Sequence, residues 1–230
     1  MKKLLSLAIL FVISIALYAQ KDVTLFLGIP IDGSKPEMIQ KLKAKGYRYN
    51  NIIDCLEGEF NGREVRLHIV TNNNKVWRIM VEDAIASNET DIKIRFNTLC
   101  RQFLNKNGYM QASFSDYFLP EDEDISYEMT VRNKRYEAAY YQLPTSVDTT
   151  AITEEIKSII SAKYTEEQLA HPTEELQEKL QKEIIEYGVS YMQELVSNKS
   201  VWFMIAKQYG KYRILMFYDN EYNHSNGEDL

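Results

Sequence analysis

Two short runs, Val65-Arg66-Leu67-His68-Ile69 and Trp77-Arg78-Ile79-Met80-Val81, decide how this chain folds. Val65, Leu67 and Ile69 alternate with Arg66 and His68, and Trp77, Ile79 and Val81 keep the same spacing. A period of two is what a strand shows when one face is buried and the other wet. Asn72-Asn73-Asn74 supplies the turn between the runs, and Asn61-Gly62 supplies another upstream. The stretch from Gly46 to Asp83 therefore reads as a three-stranded antiparallel meander.

Working outward, an apolar sheet face needs a cover, and a helix is written on each side. Upstream, Ser34 and Glu37 make a capping box, Met38, Ile39 and Leu42 recur at helical spacing, and Gly46 supplies a stop. That predicts a helix from Lys35 to Lys45. Downstream, a helix starting at Thr90 or Asp91 carries Ile92, Phe96, Leu99, Cys100, Phe103 and Leu104 on one stripe and ends at Asn107-Gly108. The expected fold class is α+β: an antiparallel sheet of meander and hairpins with amphipathic helices packed on one face.

The remaining stretches carry weaker signals. Val23 to Gly28 reads as a short strand, followed by a turn over residues 29–33. Ile125 to Val131 and Arg135 to Leu143 read as a hairpin, and Ile152 to Tyr164 as a helix. A long helix starts near Pro172 and carries Leu176, Leu180, Ile184, Tyr187, Tyr191 and Leu195. Val201 to Lys207 and Tyr212 to Tyr218 make an apolar hairpin through Tyr209-Gly210. The likeness of Lys75-Val76-Trp77-Arg78-Ile79 to Ser200-Val201-Trp202-Phe203-Met204 suggests two pseudo-repeats. Residues 20–230 are then one domain, divisible into lobes 20–109 and 110–230.

At the amino terminus, Lys2 and Lys3 precede an apolar run from Leu4 to Leu17, interrupted by Ser6 and Ser14, and Ala19 is followed by Gln20 and Lys21. This is the layout of a secretory signal peptide, residues 1–19, too short to cross a bilayer as a helix. The expected location is periplasmic or secreted, with no retained membrane anchor. Removal takes away two lysines and no acid, moving the formal charge from −6 to −8. So acidic a chain repels nucleic acid and anionic lipid.

The residues that carry most chemistries are missing their patterns. Three histidines, His68, His171 and His224, stand far apart, with no metal-ligand spacing among them. There is no Gly-x-Ser-x-Gly elbow and no phosphate-cradling glycine loop. Glu57 and Glu59 share one face of a strand, and Glu121-Asp122-Glu123-Asp124 forms an acidic loop. Glycoside cleavage would need one such carboxyl kept protonated by burial, and neither set has the apolar flanks for it. The loop also lacks the ordered spacing of a calcium site. No catalytic residue, cofactor or metal site is expected, and a paired-carboxylate hydrolase is the alternative reading.

Cys55 and Cys100 face an oxidising compartment. They either form a disulfide or pack apart as buried thiols, since spacing alone does not bring two Cα atoms within bridging distance. Aromatic residues crowd the C-terminal hairpins on both faces. One aromatic row is therefore expected to be exposed as a binding surface, with Trp202, Tyr212 and Tyr218 as its candidates.

At Phe26-Leu27-Gly28-Ile29-Pro30-Ile31-Asp32-Gly33-Ser34 through Lys41-Leu42-Lys43-Ala44-Lys45-Gly46-Tyr47, and again at Tyr209-Gly210-Lys211-Tyr212 through Tyr218-Asp219-Asn220, the chain resembles uncharacterised exported proteins of gut anaerobes. More distantly, its helix-plus-antiparallel-sheet arrangement is similar to the β-lactamase-inhibitor-like and outer-membrane-assembly lipoprotein folds. That resemblance implies a binding or scaffolding module without catalysis, whose partner is a protein or envelope component. It departs from them in its long second half and in having no lipid-bearing cysteine at the cleavage junction.

Overall fold

The computed structural model describes residues 22–144 and 149–224, so the export segment read at residues 1–19 lies outside the described residues. Its first helix, α1 (Lys35–Ala44), starts where the sequence placed it. The Ser34 hydroxyl accepts from the Glu37 N–H while the Glu37 carboxylate reaches back to the Ser34 N–H, closing the capping box. Four strands follow, not three: β3 (Arg48–Asn50), β4 (Cys55–Phe60), β5 (Arg63–Asn72) and β6 (Lys75–Asp83). β3 was missed because three residues are too few to show a period. Ahead of α1, β1 (Leu25–Phe26) and β2 (Ile29–Pro30) form a small hairpin that turns at Leu27-Gly28, earlier than the expected turn over 29–33.

The second helix, α2 (Glu89–Asn105), is capped by Asn88 and buries the predicted stripe of Ile92, Phe96, Leu99, Cys100 and Phe103, leaving Leu104 exposed. Then come β7 (Tyr109–Gln111), a short helix α3 (Ile125–Val131) and β8 (Glu137–Gln142). The expected hairpin at 125–143 is thus a helix and a strand. The Asp124 carboxylate accepts from the Tyr127 N–H and starts a turn whose Ile125 is fully buried, whereas β8 pairs with β7 and with the later β9. Helices α4 (Thr149–Lys163), α5 (Glu166–Ala170) and α6 (Glu174–Ser197) follow. Pro172 lies outside α6, whose cap is Thr173. The chain ends in β9 (Ser200–Gln208), β10 (Lys211–Asp219) and a 3₁₀ turn at Glu221–Asn223.

Eight of these strands form one antiparallel sheet in the order β3-β4-β5-β6-β10-β9-β8-β7. Its hairpins turn through Asn61-Gly62, Asn73-Asn74 and Tyr209-Gly210, each with positive φ at both residues, the mirror-image turn that matches strand twist. The order is palindromic. A helix followed by four strands occurs twice, as α1-β3-β4-β5-β6 and α2-β7-β8-β9-β10, and the last strands of the two units pair at the centre. The seam between the units lies between Asp83 and Glu89, whereas residues 107–111 fall inside the second unit. Trp77 and Trp202 are not repeat equivalents, since they lie on β6 and β9.

Both α1 and α2 cover the same face. Met38 and Leu42 of α1 and the α2 stripe share one core with Leu56, Val65, Leu67, Ile79, Val81, Tyr140, Phe203, Ile205, Ile214 and Met216. Phe103, Tyr140 and Phe203 stack at its centre, with ring centroids 4.7 to 6.1 Å apart. Beneath α2, Asp83 and Arg95 form a buried ion pair at 3.5 Å. Burial pushes the Asp83 carboxyl above its usual range, and the Arg95 guanidinium opposes the rise.

Candidate functional site

Cross-strand partners share a face, so the sheet register assigns the side without helices residue by residue. One row crosses seven strands: Arg48, Glu57, Arg66, Glu82, Leu215, Met204 and Glu137. The next row is His68, Met80, Phe217, Trp202 and Ala139. Beside it run Val70, Arg78 and Asp219. The first unit therefore contributes an alternating ladder of charges, and the second an apolar and aromatic field.

Glu82 anchors the charged half. Its carboxylate lies 3.3 Å from His68 Nε2, 3.5 Å from Arg213 Nη1 and 4.0 Å from Arg66 Nη1. Arg213 also donates to the carbonyls of Asp83 and Ala84, so this cation is fixed from two sides. Glu57, half of the carboxylate pair seen in the sequence, sits in register between Arg48 and Arg66. Its charge thus falls within a ladder of alternating signs across the face.

The centre of the face is built around Arg78. Its Nε and Nη2 each donate to an Asp219 carboxylate oxygen at 2.6 Å, a bidentate pair in which Asp219 is almost completely buried. Trp202 Nε1 donates to the same carboxylate at 2.9 Å. The guanidinium lies over three rings, with 4.2 Å to Trp77, 4.7 Å to Phe217 and 5.5 Å to Trp202. Trp202 and Phe217 stack at 4.0 Å, and the His224 ring closes on Trp77 at 4.5 Å. Each ring is thus locked by its neighbours, giving a rigid patch of half-buried Trp77 and Trp202 and buried Phe217 around one fixed cation.

Of the three aromatic candidates, the structure places only Trp202 on this face. Tyr212 and Tyr218 are 3% and 5% exposed and belong to the helix-covered core. In β10 residues 212, 214, 216 and 218 point to the helices, and Arg213, Leu215 and Phe217 point away. The outward row of β10 also carries Lys211, Arg213 and Asp219, so alternation along this strand marks Tyr212 and Tyr218 as the inner row. Sequence reasoning missed Phe217, Met80 and Arg78. The signal available was Trp77-Arg78 itself, an arginine beside a tryptophan in a strand.

Cys55 on β4 and Cys100 on α2 are buried free thiols, not a bridge. Burial raises both, Cys100 to about 11, so neither is a nucleophile at neutral pH. The acidic loop is committed elsewhere. Asp124 caps α3, and Lys134 at 2.5 Å, with the Tyr136 hydroxyl, holds Glu123 below the usual carboxylate range. Among the described residues no group of three or more His, Cys, Asp or Glu is placed to hold a metal ion, and no helix is long and apolar enough to cross a membrane. No protein-family model, curated protein or solved structure matches the chain.

Proposed function

We propose that this chain is an exported, non-enzymatic module that binds a protein of the cell envelope through the open face of its sheet. The observation that carries the reading is the locked patch of Met80, Trp202 and Phe217 around Arg78, flanked by the Arg48-Glu57-Arg66-Glu82 ladder. Trp, Phe, Met and Arg are enriched at the centres of protein interfaces. Ordering such side chains before binding lowers the entropic cost of association. The charged flank supplies register and steering. The resemblance to small binding and scaffolding folds read in the sequence points the same way, as does the export signal read there.

The test is capture from envelope extract with the mature chain, followed by affinity measurement with the recovered partner. Trp202→Ala is expected to weaken binding by roughly 30-fold, equivalent to about 2 kcal/mol. Leu215→Glu should abolish it, while Ile94→Glu, on exposed α2 surface, leaves it unchanged. A partner indifferent to both face variants, or turnover of a polysaccharide by the mature chain, would overturn the proposal.

A further inference from the structure

On the helix-covered side a cleft of about 740 Å³ opens between α2 and the turns of the N-terminal strands. One wall is α2, through Thr98, Arg101, Gln102 and Phe103, and the other is the β1–β2 turn and the β4–β5 turn. Met216 and Tyr218 of β10 form the floor. Its size lies in the range of small-molecule sites, and its interior of Leu27, Phe60, Phe103 and Met216 is apolar.

Two independent features single it out. The first is Tyr218, whose side chain is 95% buried and whose hydroxyl has no hydrogen-bond partner among the described residues. Tyr218 lines the floor of this cleft beside Met216. Burial, with smaller effects of Tyr109 and Tyr47, pushes this phenol well above its ordinary value, so it stays protonated and can donate. A donor held in an apolar surround without an acceptor is costly to keep unless something brings one.

The second is the rim. Arg101 and Lys106 stand at the mouth, and neither has a carboxylate partner among the described residues, although acids outnumber bases in this chain 33 to 27. Each instead lies near an aromatic ring, Arg101 6.0 Å from Phe118 and Lys106 5.5 Å from Tyr109. Glu59 lies on the opposite wall, which leaves the α2 side as the cationic one.

We infer that this cleft binds an amphiphilic organic anion, with its acidic group at Arg101 and Lys106, its apolar body on Phe60, Phe103 and Met216, and a second polar group accepting from Tyr218. The apolar body supplies affinity, and the two ends fix orientation. This site is independent of the open sheet face, and its rim variants leave that face untouched.

Calorimetric titration of the mature chain with 12-hydroxydodecanoate and dodecanoate, each below its micellar concentration, and with 1-dodecanol below its solubility limit, tests the inference. Expected is one saturable site that takes the hydroxy acid about five- to tenfold more tightly than dodecanoate, with dodecanol weakest. Tyr218→Phe should bring the hydroxy acid to the affinity of dodecanoate and leave dodecanoate unchanged. The exposed pair Arg101→Gln and Lys106→Gln, which carries little risk to the fold, should weaken both acids at least tenfold and spare the alcohol. Thr98→Trp should block all three. No saturable binding of any of the three, equal affinity for acids and alcohol, or binding that survives Thr98→Trp would overturn it.

Discussion

Gly58 on β4 shows how little room the helix-side face leaves. A Cβ at this position would stand 2.6 Å from the ring of Tyr47, and that ring is tethered because the Tyr47 hydroxyl donates to the Glu59 carbonyl at 3.0 Å. Gly58→Val should therefore destabilise the protein by about 1–3 kcal/mol in urea unfolding. With Tyr47→Ala in the same chain, the double change should cost less than the sum of the two, because the clash is shared. The cysteines belong to the same scale. With both thiols buried and raised, neither should react with a thiol reagent at pH 8 in the native protein, and two should react after unfolding. A single unreactive bridge after unfolding would contradict the structure.

Among the elements, α1, α2 and the β9–β10 hairpin were legible because caps, stripes and turn residues agreed with one another. α3 was not. Seven residues give two turns, too few for a helical period, and Ile125, Tyr127, Met129 and Val131 happen to fall at every second position. Its amino end carries a pH-dependent contact. Lys134 and Tyr136 hold Glu123 below its ordinary 4.5, so in the folded state this group keeps its charge to lower pH than in the unfolded chain. A depressed folded value adds stability that is present above pH 4.5 and is lost as pH falls through the folded value. Replacing Lys134 with Met should accordingly lower the melting temperature at pH 6, with an effect that shrinks as pH falls below 4.5. An effect that does not shrink would mean that the ion pair is not the source.

For the whole molecule, the palindromic sheet makes α4 to α6 an excursion from a hairpin. Tyr141 pairs with Ser200, and the Gln142 N–H donates to the Lys199 carbonyl at 2.9 Å, so the chain leaves and returns at one place. Apart from Val196, the described side chains of α4 to α6 are not fully buried. Excision of residues 144–198 with a two-residue turn in their place should leave a cooperatively folding sheet, because the main core contains no residue of that stretch. Circular dichroism should show loss of helix, and the open face should keep its partner. Loss of cooperative unfolding would show that the arm is part of the core.

By itself the sequence determined the α+β class, the helix-on-sheet layering and the positions of the long elements, because periodicity and capping are local properties. The tertiary structure alone decided that the last strands of the two units meet at the centre of one sheet, and that Trp202 and Phe217 face outward while Tyr212 and Tyr218 face in. The reason is that Leu215 and Phe217 share the outer row of β10 with Lys211, Arg213 and Asp219, and what surrounds them follows from which neighbouring strands its register fits and where the helices come to lie. Arg78 and Asp219, 141 residues apart in the chain, become partners only when that central pair of strands closes.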